Sequence, residues 1–262
     1  MLGYIRLTTR DFIQGLQRWE LWSHLAWNEI RKKYRRSTLG PIWSSINFGI
    51  FTTGIGLLYA NLFQQDLTIF LPHLMLGMII WNILSQVMME GCHLFIGNKG
   101  YIQEVNIPLS AFLLLLMWRN MIIFVFDFLV FVVAALLLSI SLEFSWLLSF
   151  IGLILILINA LWLGTLLAVI ATRYHDISEV MGSAMRVIFF LTPIIWMPGT
   201  GKFEFVLNAN PFYHLIEIFR AQIVGGIASP TSWIVVVVIT VVGWTITSIV
   251  YGKYKNRISF WI

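Results

Sequence analysis

The chain has 262 residues, is 59% hydrophobic and only 11% charged, and carries a net charge of +5. Soluble domains carry about 25% charged residues, so the composition excludes an ordinary soluble protein and points to the membrane. The cations sit at the ends of apolar runs, where topology and acidic lipid head groups account for them without nucleic acid, and the lone Cys92 excludes an intramolecular disulfide.

Residues 1–17 are mixed and show no clear pattern. Residues 18–36 predict an amphipathic helix. At about 100° per residue, Trp19, Trp22, Ala26, Trp27, Ile30 and Tyr34 gather on one side, opposite Glu20, Asn28, Arg31, Lys32 and Arg35. Tryptophan on one face and cations on the other suits a helix lying in the membrane interface. Residues 1–40 are too long and too charged for a cleavable signal peptide. The charge then stops, and Leu39-Gly40-Pro41 leads into an apolar run.

A membrane-spanning helix needs roughly 20 mostly apolar residues. The first span is predicted at 42–62, where Gly49, Gly54 and Gly56 would let helix backbones approach closely. The second is predicted at 69–89, followed by a loop over 90–110. The third, 111–138, contains Arg119 and Asp127. These two are eight residues apart, too far along a helix to pair directly, so each needs a partner elsewhere. A turn at 141–145 precedes the fourth span, 146–171, and the fifth, 180–197, is interrupted by Pro193. Residues 198–230 are too polar and too rich in Gly and Pro to span, although 211–224 reads as a short amphipathic helix. The sixth span is predicted at 232–251. His73, His93 and His214 read as interfacial packing residues.

Six spans put both termini on one side, and the Lys and Arg bias identifies that side. Thirteen of the seventeen cations fall before the first span, in the loops after the second and fourth, and after the sixth; the other three connections hold only Lys202 and Arg220. Both termini are therefore expected in the cytoplasm. No phosphate-binding loop, nucleophile elbow, or zinc-type His or Cys pair occurs, so neither a catalytic residue nor a metal ligand is predicted.

Three blocks carry a resemblance: Tyr34-Arg-Arg-Ser-Thr-Leu-Gly-Pro-Ile-Trp43; Asn98 to Pro108; and Arg173 to Ile177 with Thr192 to Trp196, Asn210 to His214 and Arg220. In this order they resemble the permease subunit of type-2 ABC exporters, in the branch that exports O-antigen and capsule-like polysaccharides. The resemblance implies an all-α membrane protein with six transmembrane helices, an N-terminal amphipathic interfacial helix, and re-entrant periplasmic helices within 198–230. It divides the chain into a cytoplasmic segment, 1–38, and a transmembrane domain, 39–262.

The resemblance further implies a homodimer in a bacterial inner membrane, two copies of a separate ATPase that binds ATP and Mg, and a polyprenyl-diphosphate-linked glycan as cargo. This chain would hold no cofactor and have no ATPase site of its own. A coupling helix at 97–107 would meet the ATPase through Lys99, Tyr101, Ile102, Glu104 and Val105. Tyr34, Arg35, Arg36, Leu39, Gly40 and Pro41 would form a cytoplasmic entrance. Pro193, Trp196, Asn210, Pro211, Phe212 and Arg220 would form a periplasmic gate.

Aromatic residues make up 15% of the chain. Phe48, Phe51 and Tyr59 in the first span and Phe189 and Phe190 in the fifth sit away from the expected interfacial belt, and are candidates to line a path for sugar rings. Core packing is the alternative for each. The competing functions are a type-2 permease for teichoic acid, capsule, a drug or a lipid, and a membrane-bound transferase.

Overall fold

The computed structural model describes residues 1–35, 37–105, 107–139, 145–198 and 204–262. Arg36 of the expected entrance and most of the 141–145 turn lie outside them. The described residues contain helices and connecting turns and no strand: α1 Leu2–Gln17, α2 Trp19–Lys33, α3 Ile42–Leu62, α4 Leu67–Gly97, α5 Lys99–Glu104, α6 Ser110–Leu137, α7 Ser145–Arg173, α8 Asp176–Leu191, α9 Glu204–Ala209, α10 Pro211–Ile223 and α11 Pro230–Trp261.

Four helices, α4, α6, α7 and α11, are long and apolar enough to cross a membrane. The expected spans at 42–62 and 180–197, the second helical only as far as Leu191, do not reach that standard. α3 carries Ser44, Ser45, Asn47, Thr52, Thr53 and Asn61. α8 is 16 residues long, with Asp176, Glu179 and Arg186 in it.

α4 is the central helix. Most of it is buried, and α3, α6, α7, α8 and α10 all pack on it. It starts on Asp66, whose side chain accepts a 2.8 Å hydrogen bond from Thr68 N, satisfying one of the free amides of the first turn. It also continues to Gly97, through the first part of the region expected to be a loop. The hydropathy falls after residue 89 while helical hydrogen bonding goes on, so apolarity marks where a helix leaves lipid, not where it ends.

Close helix approach depends on two of the three glycines expected in α3, and also on glycines of α4 and α7. A Cβ on Gly91 would lie 3.2 Å from Gly164 O, so this pair lets α4 and α7 cross backbone to backbone. A Cβ on Gly152 would lie 2.5 Å from Ile218 O, which seats α10 directly against α7. Of the three α3 glycines, Gly56 meets Leu71, Gly49 meets Val130, and Gly54 meets nothing within 4 Å.

Many aromatics pack inside the protein. Phe124, Phe128 and Phe131 of α6 form a ladder that meets Phe219 of α10 and Trp146 of α7, with ring centroids 5.6 to 6.3 Å apart. Such offset and edge contacts add about 0.5–1.5 kcal/mol per pair beyond area burial. Polar side chains join α7 to α11: Asn159 Nδ2 donates to Thr240 Oγ1 at 2.7 Å, and Trp162 Nε1 donates to Asn159 Oδ1 at 2.9 Å.

α1 was not expected. It docks on α11 and the start of α6 through a mixed face, in which Phe12 packs on Trp244 and Tyr251 beside a polar cluster. Asp11 is buried; its Oδ2 accepts from Ser110 N at 3.0 Å and from Tyr251 Oη at 2.5 Å, and its Oδ1 pairs with Lys255 Nζ at 2.5 Å. Thr8 Oγ1 donates to Ser248 O at 2.9 Å.

Candidate functional site

Three regions gather the residues that sequence reasoning singled out. The first lies at the end of the bundle that carries α2 and α5. α2 ends in Arg31, Lys32 and Lys33, cations that suit the negative end of the helix dipole. The chain then turns through 37–41. Gly40 N donates to Ser37 Oγ at 3.1 Å, and Gly40 adopts φ +58, a conformation open to glycine without strain. Pro41 caps α3 at φ −62. A cleft of about 700 Å³ opens here, lined by Arg31, Lys32, Tyr34, Arg35, Gly40, Pro41, Asn98 and Tyr101 among others. The first and second sequence blocks therefore share one cavity. Leu39 lies exposed on the same turn.

A second chamber of about 450 Å³ shares Glu29, Lys32, Tyr34, Pro41 and Asn98 with the first and reaches Gln86, Glu90 and Arg119. Arg119 of α6 pairs with Glu29 of α2 at 2.5 Å and with Glu90 of α4. This answers the sequence requirement for a partner: one guanidinium joins three helices and holds α2 against the bundle. Neither acid was legible as a partner, because 90 and 29 residues of chain separate them from Arg119. α2 faces the protein with Ala26 and Ile30, while Trp19 and Trp27 are exposed, so the expected tryptophan face is divided between protein and surroundings.

α5 is shorter than the expected 97–107 helix. Tyr101 and Val105 are exposed, as are Lys99 and Glu104, but Ile102 packs inward against the core. Ile102 is thus the least accessible of the five expected coupling residues.

The second region is the surface of α8. Glu179, Val180, Ser183, Arg186, Val187, Phe190 and Leu191 are exposed and fall at helical spacing on one side. Among the described residues, Arg186 Nε donates to Gly182 O of its own helix, at 3.2 Å. The five candidate aromatics do not share a surface. Phe48 is 7% exposed and belongs to the core, while Phe51 is 52% and Phe190 64% exposed. Tyr59 packs beside Phe63, and Phe189 packs at a tilt against Trp81 of α4, ring centroids 5.4 Å apart. For Phe48 the core alternative holds. Asp127 of α6 is buried facing Ser45 of α3 and Asn82 of α4, the polar neighbours its sequence position required.

The third region lies at the opposite end of α4. The six expected gate residues lie along α10 and the segment after α8 that packs on it, Asn210 to Phe212 at the start of the helix and Arg220 in its last turn. α8 stops before Pro193, and the carbonyl freed there accepts from Arg220 Nη1 at 2.6 Å. Arg220 is buried, pairs with Glu217 at 2.8 Å, and lies 3.1 Å from His73 Nε2, which is itself 3.2 Å from Trp196 O. Asn210 caps α10 by accepting from Phe212 N at 2.9 Å, and its Nδ2 donates to Thr192 Oγ1 at 2.9 Å. Pro211 occupies the first turn of that helix, where its missing N–H costs nothing. Phe212 meets Trp81 at 5.8 Å. His73 and His214 are thus buried network members, which corrects the expectation of interfacial packing. His214 Nε2 lies 3.0 Å from Asn208 O, and Nδ1 lies 2.9 Å from Ser232 Oγ.

The bundle is accordingly a set of apolar membrane-crossing helices with a basic cleft at one end, a polar-exposed short helix, and a hydrogen-bonded knot at the other end. Comparison with known proteins adds one result. None of the curated proteins compared with the chain matches it. The family described as ABC-2 type transporter matches residues 20–224, from the start of α2 to the end of α10. With most of its length matched, the chain belongs to the ABC-2 type transporter family, as a multi-pass membrane subunit of a transporter.

Proposed function

We propose that this chain is the permease of an ATP-driven exporter, that two copies enclose the path, and that the cargo is a lipid-linked polysaccharide. The observation that carries the reading is the exposed side of α8. A charged side chain facing lipid at membrane depth costs about 2.5–3.5 kcal/mol or more, so Glu179, Ser183 and Arg186 require water or a partner. The exposed ridge of α11 offers the contrast: Ile234, Val237, Val238, Val241 and Val242 are all apolar. α11 suits lipid; α8 suits a hydrated path between two copies. On the same reasoning we read α3, which carries several polar residues, and the short α8 as the first and fifth of six spans, bordering the same path.

In this reading both termini are cytoplasmic and the basic cleft is the entrance, where Tyr34, Arg35 and the Gly40-Pro41 turn meet a lipid-bound anionic head. α9 and α10 form the re-entrant insertion of the outer side, tolerable at membrane depth because protein surrounds them. ATP is hydrolysed by a separate subunit that contacts α5. A glycan is favoured as cargo because exposed rings such as Phe51 and Phe190 offer flat apolar faces to sugars, and by the resemblance of the three blocks to the polysaccharide branch.

Deleting the chain from its host and following surface glycan tests this. Loss of long surface glycan, with lipid-linked glycan accumulating inside, is the expected result and should be reversed by the wild-type chain. Unchanged glycan export would remove the polysaccharide reading and leave another ABC-2 cargo.

A further inference from the structure

We propose that the last turn of α11 is a second contact for the partner ATPase, completing with α5 and the corner after α7 one composite docking platform; this rests on the reading of the chain as a permease driven by a separate ATPase. α11 has 32 residues, about 48 Å at 1.5 Å per residue, against about 30 Å of hydrocarbon. Its apolar stretch closes at Tyr251, and Lys253, Lys255 and Arg257 follow. The helix continues beyond this basic girdle on the side that carries α5.

The projecting end is fixed rather than free. Trp261 lies under the Arg173 guanidinium at 5.3 Å and beside Tyr254 at 5.5 Å. Gln103 Nε2 of α5 donates to Ile262 O at 3.2 Å. Ile258 is fully buried. With its inner face anchored in this way, the turn holds Phe260 outward at 86% exposure. Arg173 also lies over Tyr174, itself exposed, at 5.4 Å. Arg173, Trp261 and Gln103 thus bind three separate segments into one unit, on which Tyr101, Val105, Tyr174 and Phe260 are each exposed.

Single exposed apolar residues need no explanation, but a cluster with cations around it marks an interface. A rigid, outward aromatic beside a helix meant for the ATPase has the properties of an interface anchor. Arg173 and Lys253 at its edge suit an acidic rim on that partner. Because α5 and α11 share a hydrogen bond, motion of the ATPase against α5 would act on α11 as well.

The test places a photo-crosslinking benzoylphenylalanine at Phe260, and separately at Tyr101, in the full-length chain together with the ABC ATPase that copurifies with it. The expected result is an adduct with the ATPase from both positions. An adduct from Tyr101 with none from Phe260, or with lipid alone from Phe260, overturns the composite platform and leaves the transporter reading intact. No adduct from either position overturns the ATPase contact at α5 and this inference with it. Phe260→Asp should lower ATPase copurification at least tenfold at unchanged permease abundance, while Phe260→Leu retains it. Full copurification of Phe260→Asp contradicts the proposal. Phe260 is exposed, so neither change burdens folding.

Discussion

Phe48 and Phe51 lie three residues apart on α3 and meet different surroundings: the first is in the core and the second faces outward. Phe48→Ala should cost about 3–5 kcal/mol as a cavity, seen as a lower thermal midpoint in detergent and lower abundance. Phe51→Ala and Phe190→Ala should leave both unchanged and slow export, since stacked rings make weak contacts individually. If export by these two falls only in step with abundance, they are packing residues. The sequence placed all of these rings mid-span, but which way each points depends on how α3 meets α4 and α6, which no local pattern records. Arg119 shows the same limit. Its need for a counter-charge was legible from an arginine in an apolar run; Glu29 and Glu90 were not. Exposed pairs contribute about 0–1 kcal/mol and breaking a buried one costs about 3–5. The partly exposed Arg119 falls between, so Arg119→Ala should cost about 2 kcal/mol, read as a fall in thermal midpoint. An unchanged midpoint would make the three-helix junction dispensable.

Among the elements, α6, α7 and α10 fall close to their expected bounds, because apolar runs and the Asn210-Pro211 cap announce them. α4 and α11 outrun theirs, since each leaves the membrane as an intact helix. α1 escaped notice for a physical reason: the buried residues on its docking side include Thr8, Asp11 and Gly15, at helical spacing but without apolar character. Its attachment combines hydrogen bonds and an ion pair with one aromatic, Phe12, which packs on Trp244 and Tyr251 of α11 at 5.3 and 6.1 Å. Asp11→Ala leaves Lys255 and Tyr251 without their shared partner, and should raise amide hydrogen exchange across residues 2–17 while α4 and α7 keep their protection. Unchanged exchange in α1 would show that the apolar contacts of its other residues suffice. Gly152 governs another element contact. Gly152→Leu cannot keep α10 in place, given Ile218 O at 2.5 Å from even a Cβ, and should lower the thermal midpoint and reduce transport.

For the whole molecule, the cation bias and the exposed surfaces lead to one assembly. The bias predicts an orientation from sequence alone, in which a Cys at Lys99 or Lys255 should resist impermeant thiol reagents applied to intact cells. The surface proposed to lie between copies was not legible, since α8 reads as an interrupted span until its exposed side is seen beside that of α11. The central claim is that α8 borders water within a two-copy assembly while α11 borders lipid. It is tested most directly by thiol accessibility in a Cys92→Ser background, with single cysteines at Val187 and Val237, in membrane vesicles treated with a charged methanethiosulfonate that reacts with thiolate in water. The account predicts that Val187→Cys is modified and that Val237→Cys is not. Protection at 187 equal to that at 237 would contradict it.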